Sequence, residues 1–390
     1  MAALPYYDLN TYLRRRFGVR VQKITLDAGL TCPNRDGRVG MGGCLYCNAR
    51  GSGTGAWSRG LSLTRQLTEG AARLSRRYKA DRFIAYFQSF SNTYAPLEHL
   101  QALYEEALAF PGVVGLSVGT RPDCLSDEVL DLLASYARHR LVWLELGLQS
   151  AHDETLRLIN RGHDVACFTR AVQAAAARGL ETVVHVILGL PGEGPAHQAA
   201  TARYLAGLPL QGVKIHLLYV IQGSGLERLY RRGEYQPLSE AAYVQAVVDF
   251  IELLPPHLVI HRLTGDPHPQ ELVAPAWCRN KARVPLPPPP HRSLPPRPEA
   301  AFQDDSQKEE GPGDREFLPA AGKPECGMKS EPSKTRNHWL WWLLAGLAVS
   351  AVAGAWLLHF YIEPVSAWLG RLYEYCQEKE RIRDLVKQAG

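Results

Sequence analysis

The sequence predicts an α/β fold on a parallel sheet, an incomplete (β/α)6 TIM-like barrel over residues 1–280. Three observations predict it. Six β-rich apolar runs alternate with longer amphipathic stretches, the signature of repeated βα units with right-handed crossovers. Several of the runs are apolar throughout, as strands covered on both faces are. Six units also fall short of the eight that close a full barrel. An open doubly wound sheet satisfies the same periodicity and stands as the alternative.

In chain order the strands are expected at 21–26, 83–87, 113–118, 141–146, 182–188 and 213–220. The helices are expected at 63–78, 97–109, 126–138, 165–178, 195–206 and 239–253. Ser126 followed by Asp127 and Glu128 is a helix start, and Gly179 a helix stop.

Beyond the barrel the composition changes twice. Residues 281–337 form a linker, and eight of the twenty residues 281–300 are proline, which blocks helix and central strand and leaves an extended, stiff chain. The polar remainder is expected to be disordered. Residues 339–362 then run for 24 positions without Asp, Glu, Lys or Arg, enough to span a hydrocarbon core. Trp339, Trp341 and Trp342 at one end, and Trp356 and Tyr361 at the other, suit the two interfaces. A charged amphipathic tail, 363–390, closes the sequence. Lys and Arg flank both ends of the apolar run, so charge does not set its orientation.

With 390 residues and 46% hydrophobic content the chain has material for a substantial core, which excludes wholesale disorder. A net charge of +5 permits an anionic partner without demanding one. Eight cysteines are too sparse for a disulfide framework, and MAALPYYDLN carries no secretory pattern.

The strongest chemical signal is Cys32, Cys44 and Cys47 in a glycine-rich stretch directly after the first expected strand. Cys44 and Cys47 are spaced so that one turn presents both thiolates, and glycines at 37, 40, 42 and 43 let backbone wrap closely. Structural zinc wants a fourth ligand, and none lies at finger spacing. A dithiol redox pair leaves Cys32 idle. A [4Fe–4S] cluster on three thiolates leaves one iron open to a cofactor or substrate. Cys124, Cys167, Cys278, Cys326 and Cys376 lack clustered spacing and read as structural. Glu145, between two leucines, is costly to bury unless paired and reads as a site residue.

The C-x11-C-x2-C spacing, with Tyr46 just before the last cysteine, resembles a radical S-adenosylmethionine (SAM) enzyme. The wider match is to the YhcC/YtqA-like subfamily, related to the Elongator catalytic subunit and coproporphyrinogen dehydrogenase. It rests on blocks such as KITLDAGLTCPNRDG, GGCLYCNARGSG, LSVGTRPDCL, WLELGLQSAHDETLRLINRGHD and HVILGLPGE. The resemblance implies that Cys32, Cys44 and Cys47 hold three irons of a [4Fe–4S] cluster and that SAM chelates the fourth. Reductive cleavage of SAM would then yield a 5′-deoxyadenosyl radical. The same resemblance places Gln88, Gln149 and Arg161 against SAM, Ser117, Arg121, Asp123 and His185 toward its ribose side, and Leu190 near the adenine. Tyr46 and Glu145 join this cofactor-binding set.

Related proteins modify tRNA wobble uridine, which makes tRNA the expected substrate; a small metabolite or porphyrin-like substrate is the alternative. Basic runs at Arg14–Arg16 and around Arg73–Arg82 suit a phosphate backbone but equally a solvated surface. A membrane-tethered Fe–S electron carrier without SAM chemistry is the reading from another class. The implied cluster needs a reductant such as flavodoxin or ferredoxin. The expected location is a cytoplasmic catalytic domain anchored to the cell membrane by the single C-terminal span, which is foreign to the family.

Overall fold

A computed structural model describes residues 6–279, apart from 52, 54 and 266. The linker, the apolar run 339–362 and the tail lie outside the described residues. Among the described residues no helix is long and apolar enough to cross a membrane.

The strands are β1 (Val21–Leu26), β2 (Arg82–Phe87), β3 (Val113–Thr120), β4 (Leu141–Gln149), β5 (Glu181–Leu188), β6 (Gly212–Leu217), β7 (Val220–Ile221), β8 (Val259–Arg262) and β9 (Leu272–Ala274). The helices are α1 (Leu9–Phe17), α2 (Leu63–Tyr78), α3 (Leu97–Leu108), α4 (Asp127–Ala137), α5 (Asp153–Leu158), α6 (Val165–Ala177), α7 (Pro195–Ala206), α8 (Gly225–Arg231) and α9 (Glu240–Glu252). Ser126 caps α4 by accepting from the Val129 N–H. Gly179 follows α6 at φ 72°, where a residue with a Cβ is strained.

The sheet is parallel, in the order β1-β2-β3-β4-β5-β6-β8. It is a half-barrel, with β1 and β8 at its two edges. The expected six strands are therefore corrected to seven. β8 escaped the sequence reading because it is four residues long and half polar (VIHR). The sixth expected strand also divides: it leaves the sheet after Leu217, and β7 pairs antiparallel with β9 instead. Helix α1 was not expected either, because three arginines mask its narrow apolar face. Its ends were nonetheless marked by Asp8, whose carboxylate accepts from the Asn10 and Thr11 N–H groups, and by Gly18 at φ 73°.

The two sheet faces carry different chemistry, because side chains alternate along each strand. Outward residues such as Ile24, Ala85, Val118, Leu144, Val184 and Ile215 are buried under the helices and form the main core. Inward residues change character with height. At the strand N-terminal ends Val21, Ile84, Leu141, Trp143, Val183 and Val259 pack with Tyr12 and Leu13 of α1, which plugs that end of the lumen. Arg16 of α1 pairs with Glu181 at 2.6 Å, and the Trp143 Nε1–H donates to the same carboxylate at 2.8 Å. One turn higher the inward positions become charged.

Candidate functional site

A cavity of about 560 Å3 opens above that charged layer, at the C-terminal ends of the parallel strands. This is where such sheets place their sites, and the volume falls within the range of small-molecule pockets. Cys32, Cys44 and Cys47 all line it.

Their loop is shaped by its own backbone. The Cys32 carbonyl accepts from the Arg35 N–H at 2.9 Å, and the Cys44 carbonyl from the Cys47 N–H at 2.9 Å, a turn that brings Cys44 and Cys47 together. Gly43 adopts φ 80°, and a Cβ there would stand 3.0 Å from the Arg35 guanidinium. The loop is fastened to the segment after α5: Asn34 Nδ2–H donates to the Asn160 carbonyl at 2.6 Å, and Asn160 Nδ2–H to the Gly43 carbonyl at 2.8 Å. That clamp sets Arg161 beside the thiols.

Arg161 is buried and donates from Nη2 to the Gly147 carbonyl at 2.7 Å, and from Nη1 to the Cys44 sulfur at 3.5 Å. Its Nε–H has no partner. Burial opposes its charge, but Tyr46 and Cys44 hold its pKa above the usual value. Hydrogen bonding to Cys47, then Arg161, lowers the Cys44 thiol well below its ordinary range despite burial. Arg121, 2% exposed, forks onto Asp123 at 2.8 and 2.6 Å and leaves Nη1 unpartnered. Burial and Arg161 push His163 down to about 3, so its ring is neutral against the Gly147 carbonyl.

Of the ten positions expected to meet cofactor, Tyr46, Gln88, Arg121, Glu145, Gln149, Arg161 and His185 line this cavity. Three do not. Ser117 lies below it and donates to Glu145. Asp123 is engaged by Arg121. Leu190 is packed in a separate apolar cluster with Leu156, Ile187 and Leu226. Gln149 ends β4 at φ 81°, beside a register shift between Gly147 and Gln149. Non-glycine residues hold such a conformation where surrounding structure imposes it, commonly at functional sites.

Glu145 is the hub of the charged layer beneath. Its side chain is fully buried. Oε1 accepts from Lys23 at 2.6 Å and from Ser117; Oε2 accepts from Lys214 at 2.8 Å and His185 at 2.6 Å. Lys214 also donates to the Tyr86 hydroxyl at 2.7 Å. Burial works against the Glu145 charge, but Lys214, Lys23 and His185 overcome it and hold the carboxylate ionised. One carboxylate cannot neutralise two ammonium groups. Burial, with Lys23 and Arg262, accordingly draws Lys214 down to about 7 against the pull of Glu145. Burial and Lys214 bring His185 to about 4.

Sequence reasoning found Glu145 and His185 but missed Lys23, Tyr86, Lys214, His216 and Arg262. The signal that exposed Glu145, a polar side chain inside an apolar strand, is present at Lys214 between Val213 and Ile215. It went unread because an inward position needs the strand register, which only pairing provides.

The comparisons with known proteins agree with this geometry. The Radical SAM superfamily model matches residues 34–205, and the Radical_SAM C-terminal domain model matches residues 210–285. Over 279 residues the chain is 43% identical to the uncharacterized protein YtqA of Bacillus subtilis, covering 72% of this chain and 87% of that one. Over 156 residues it is 30% identical to the tRNA uridine(34) acetyltransferase of Dehalococcoides mccartyi, 39% of this chain and 33% of the relative. Among solved structures the fold is similar to the archaeal Methanocaldococcus infernus Elp3, with a TM-score of 0.51 at 19% identity, covering 65% of this chain and 58% of that one.

Radical SAM proteins typically use a [4Fe–4S] cluster and SAM. The residues here fit that pair. Three soft thiol donors share one cavity wall, and two buried guanidinium groups beside them keep N–H donors unpaired, suited to an anionic group. Among the described residues no three His, Cys, Asp or Glu side chains converge on a single ion. A cluster does not require that, since each thiolate meets a different iron. A parallel half-barrel with these thiols at its strand ends, matched by the superfamily model and by a relative of nearly the same extent, makes this chain an enzyme of the radical SAM superfamily.

Proposed function

We propose that this enzyme holds a [4Fe–4S] cluster on Cys32, Cys44 and Cys47, binds SAM in the adjoining cavity, and acts on tRNA at the wobble uridine. The carrying observation is the shared cavity, in which all three thiols face Gln88, Gln149, Arg121 and Arg161. When bound, the cluster and SAM supply reductive cleavage to a hydrogen-abstracting 5′-deoxyadenosyl radical. The chain's own contribution is placement. Arg161 and Arg121 present unpaired N–H donors beside the cysteine loop. Gly147 leaves the space in which the Arg161 and Gln149 side-chain ends lie, each 2.6 Å from where a Cβ would stand. Tyr46, His185 and Ile187 line the wall and limit water at the reacting centre.

The tRNA part of the reading draws on the 30% identity to a tRNA uridine(34) acetyltransferase, which spans under half of this chain. Anaerobic reconstitution with iron and sulfide, followed by assay for 5′-deoxyadenosine with and without unmodified tRNA, tests both parts. Cys32, Cys44 and Cys47 replaced together by Ala should abolish iron loading and SAM cleavage. A variant that still cleaves SAM refutes the cluster assignment, and cleavage indifferent to tRNA over a range of salt refutes the substrate.

The membrane anchor is part of the same proposal: a span at 339–362 would tether a cytoplasmic catalytic domain, reduced by flavodoxin or ferredoxin, through the proline-rich linker. Full-length chain should sediment with membranes and resist carbonate extraction, and a version ending at residue 280 should not. Equal partitioning of the two removes the anchor.

A further inference from the structure

The end of the half-barrel opposite the cavity gathers cations from distant parts of the chain. The α1–β1 and α2–β2 connections lie side by side there, because Val21 and Arg82 are register partners at the starts of two parallel strands. Arg20 ties the connections together, donating from Nη1 to the Tyr78 carbonyl at 2.9 Å. The two basic runs of the sequence thereby become one surface. On it Arg14, Arg76, Arg77 and Lys79 are exposed and, among the described residues, form no ion pair. Arg138 and Arg140, exposed just before β4, extend the charge along the same end of the sheet. The nearby carboxylates are engaged elsewhere: Asp81 with Arg82 at 3.5 Å, and Glu181 with Arg16 at 2.6 Å. On the mouth side the pattern differs, for Arg231 and Arg232 each hold a glutamate at 2.6 Å. Cations favour helix C-termini, but that alone does not explain the excess, since α3, α4, α6 and α9 finish without a basic residue in the last turn.

A second observation says what kind of partner suits this surface. Val19, between Gly18 at φ 73° and Arg20, is 45% exposed, an apolar tip in the arginine-bearing turn. Cations around an exposed apolar side chain fit the boundary between headgroups and acyl chains of an anionic bilayer, where the charges meet lipid phosphates and the apolar tip enters beneath them. A nucleic acid gains nothing from Val19, and one whose base enters the cavity approaches from the strand C-terminal ends, the opposite side. The 24 positions of 339–362 without Asp, Glu, Lys or Arg supply a reason for a bilayer to be near. We infer that the surface of Arg14, Val19, Arg76, Arg77 and Lys79 rests on an anionic phospholipid leaflet, so that the cavity mouth faces the aqueous side. The inference deepens the proposed anchor and rests on it only for the nearness of a bilayer. A span fixes the distance of a tethered domain from the membrane; a cationic base with an apolar tip fixes which way the domain faces.

The test is amide hydrogen exchange of the full chain reconstituted in vesicles, read by mass spectrometry. One set of vesicles is phosphatidylcholine alone, and the other contains about one-third phosphatidylglycerol. Segments 18–20 and 79–81, outside helix and strand, should exchange about 5-fold or more slowly on the anionic set. Segment 232–234, on the mouth side after α8, should exchange equally on both. Salt at about 1 M, which confines charge interactions to about 3 Å, should abolish the difference. Each Lys or Arg held at an anionic leaflet strengthens attachment about 5-fold, so Arg76→Gln, Arg77→Gln and Lys79→Gln together should weaken it about 100-fold and remove the protection. Val19→Ser keeps every charge and should lose part of the protection, which serves as the test if the triple variant melts early. Equal exchange on the two sets, protection that survives in the triple variant, or protection of 232–234 in place of the base would overturn the inference. So would the same protection by unmodified tRNA in detergent without vesicles, which would make this an RNA surface. Release of the chain from phosphatidylcholine by carbonate would reject the anchor alone, and slowed exchange of the base on anionic vesicles would still stand, so the two failures are distinguishable.

Discussion

Replacing Glu145 by Gln removes one charge and keeps the shape, and the structure sets how much that should cost. The carboxylate is fully buried and serves four donors: Lys23 at 2.6 Å, Lys214 at 2.8 Å, His185 at 2.6 Å and Ser117. Removing one partner of a buried pair costs about 3–5 kcal/mol, because the remaining charge is stranded in a medium that solvates it poorly. Here two ammonium groups are stranded. A fall of about 3–5 kcal/mol in a domain of this size lowers Tm by roughly 6–15 °C. The cost should depend on pH in one direction. Lys214 already titrates at about 7, so it escapes its stranded charge by losing a proton as pH rises. Melts of the cluster-free protein under reducing conditions should therefore show a larger gap between wild type and Glu145→Gln at pH 6 than at pH 9. A gap under about 2 °C at pH 6, or one that widens with pH, would refute the account of Glu145 as the shared counter-charge of Lys23 and Lys214.

Two further outcomes follow from the same contacts. The pKa of Lys214 in the fold, about 7, lies below its ordinary 10.5, so between these values the unfolded chain binds the extra proton and stability rises with pH. One proton corresponds to about 1.4 kcal/mol per pH unit, a slope that denaturant titrations from pH 7 to 9 should show in wild type and lose in Lys214→Gln; equal slopes would disprove it. In Gly147→Ala the new Cβ would stand 2.6 Å from both Arg161 Nη2 and Gln149 Nε2, flexible ends that yield without unfolding the strand. Equilibrium dialysis should find SAM affinity reduced about 10-fold with Tm within about 3 °C of wild type; unchanged affinity would remove these two side chains from the cofactor site.

The sequence by itself determined the chemistry-bearing loop and the alternation of elements. Cys32, Cys44 and Cys47 sit close together in the chain, so their spacing states what one loop can present without knowledge of the fold. The parallel strands were legible because burial on both faces leaves nearly continuous apolar runs, as in LVWLELGLQ of β4, whose apolar stretch only Glu145 interrupts before the terminal Gln149. Tertiary structure alone decided what the lumen holds. Lys23, Glu145, Lys214 and Arg262 come from four strands spread over some 240 positions, and each is ordinary in its own segment. They become one cluster only when pairing registers turn them to the same face at the same height. Helix α1 and strand β8 were likewise decided late: α1 is stabilised by Trp143, Ile84 and Val183 from distant strands, and β8 by pairing with β6 and by the Ile260 N–H donating to the Tyr7 carbonyl at 2.8 Å. Local propensity reports what a segment buries against itself; a short polar strand and an arginine-rich helix are stabilised by partners that are remote in the chain.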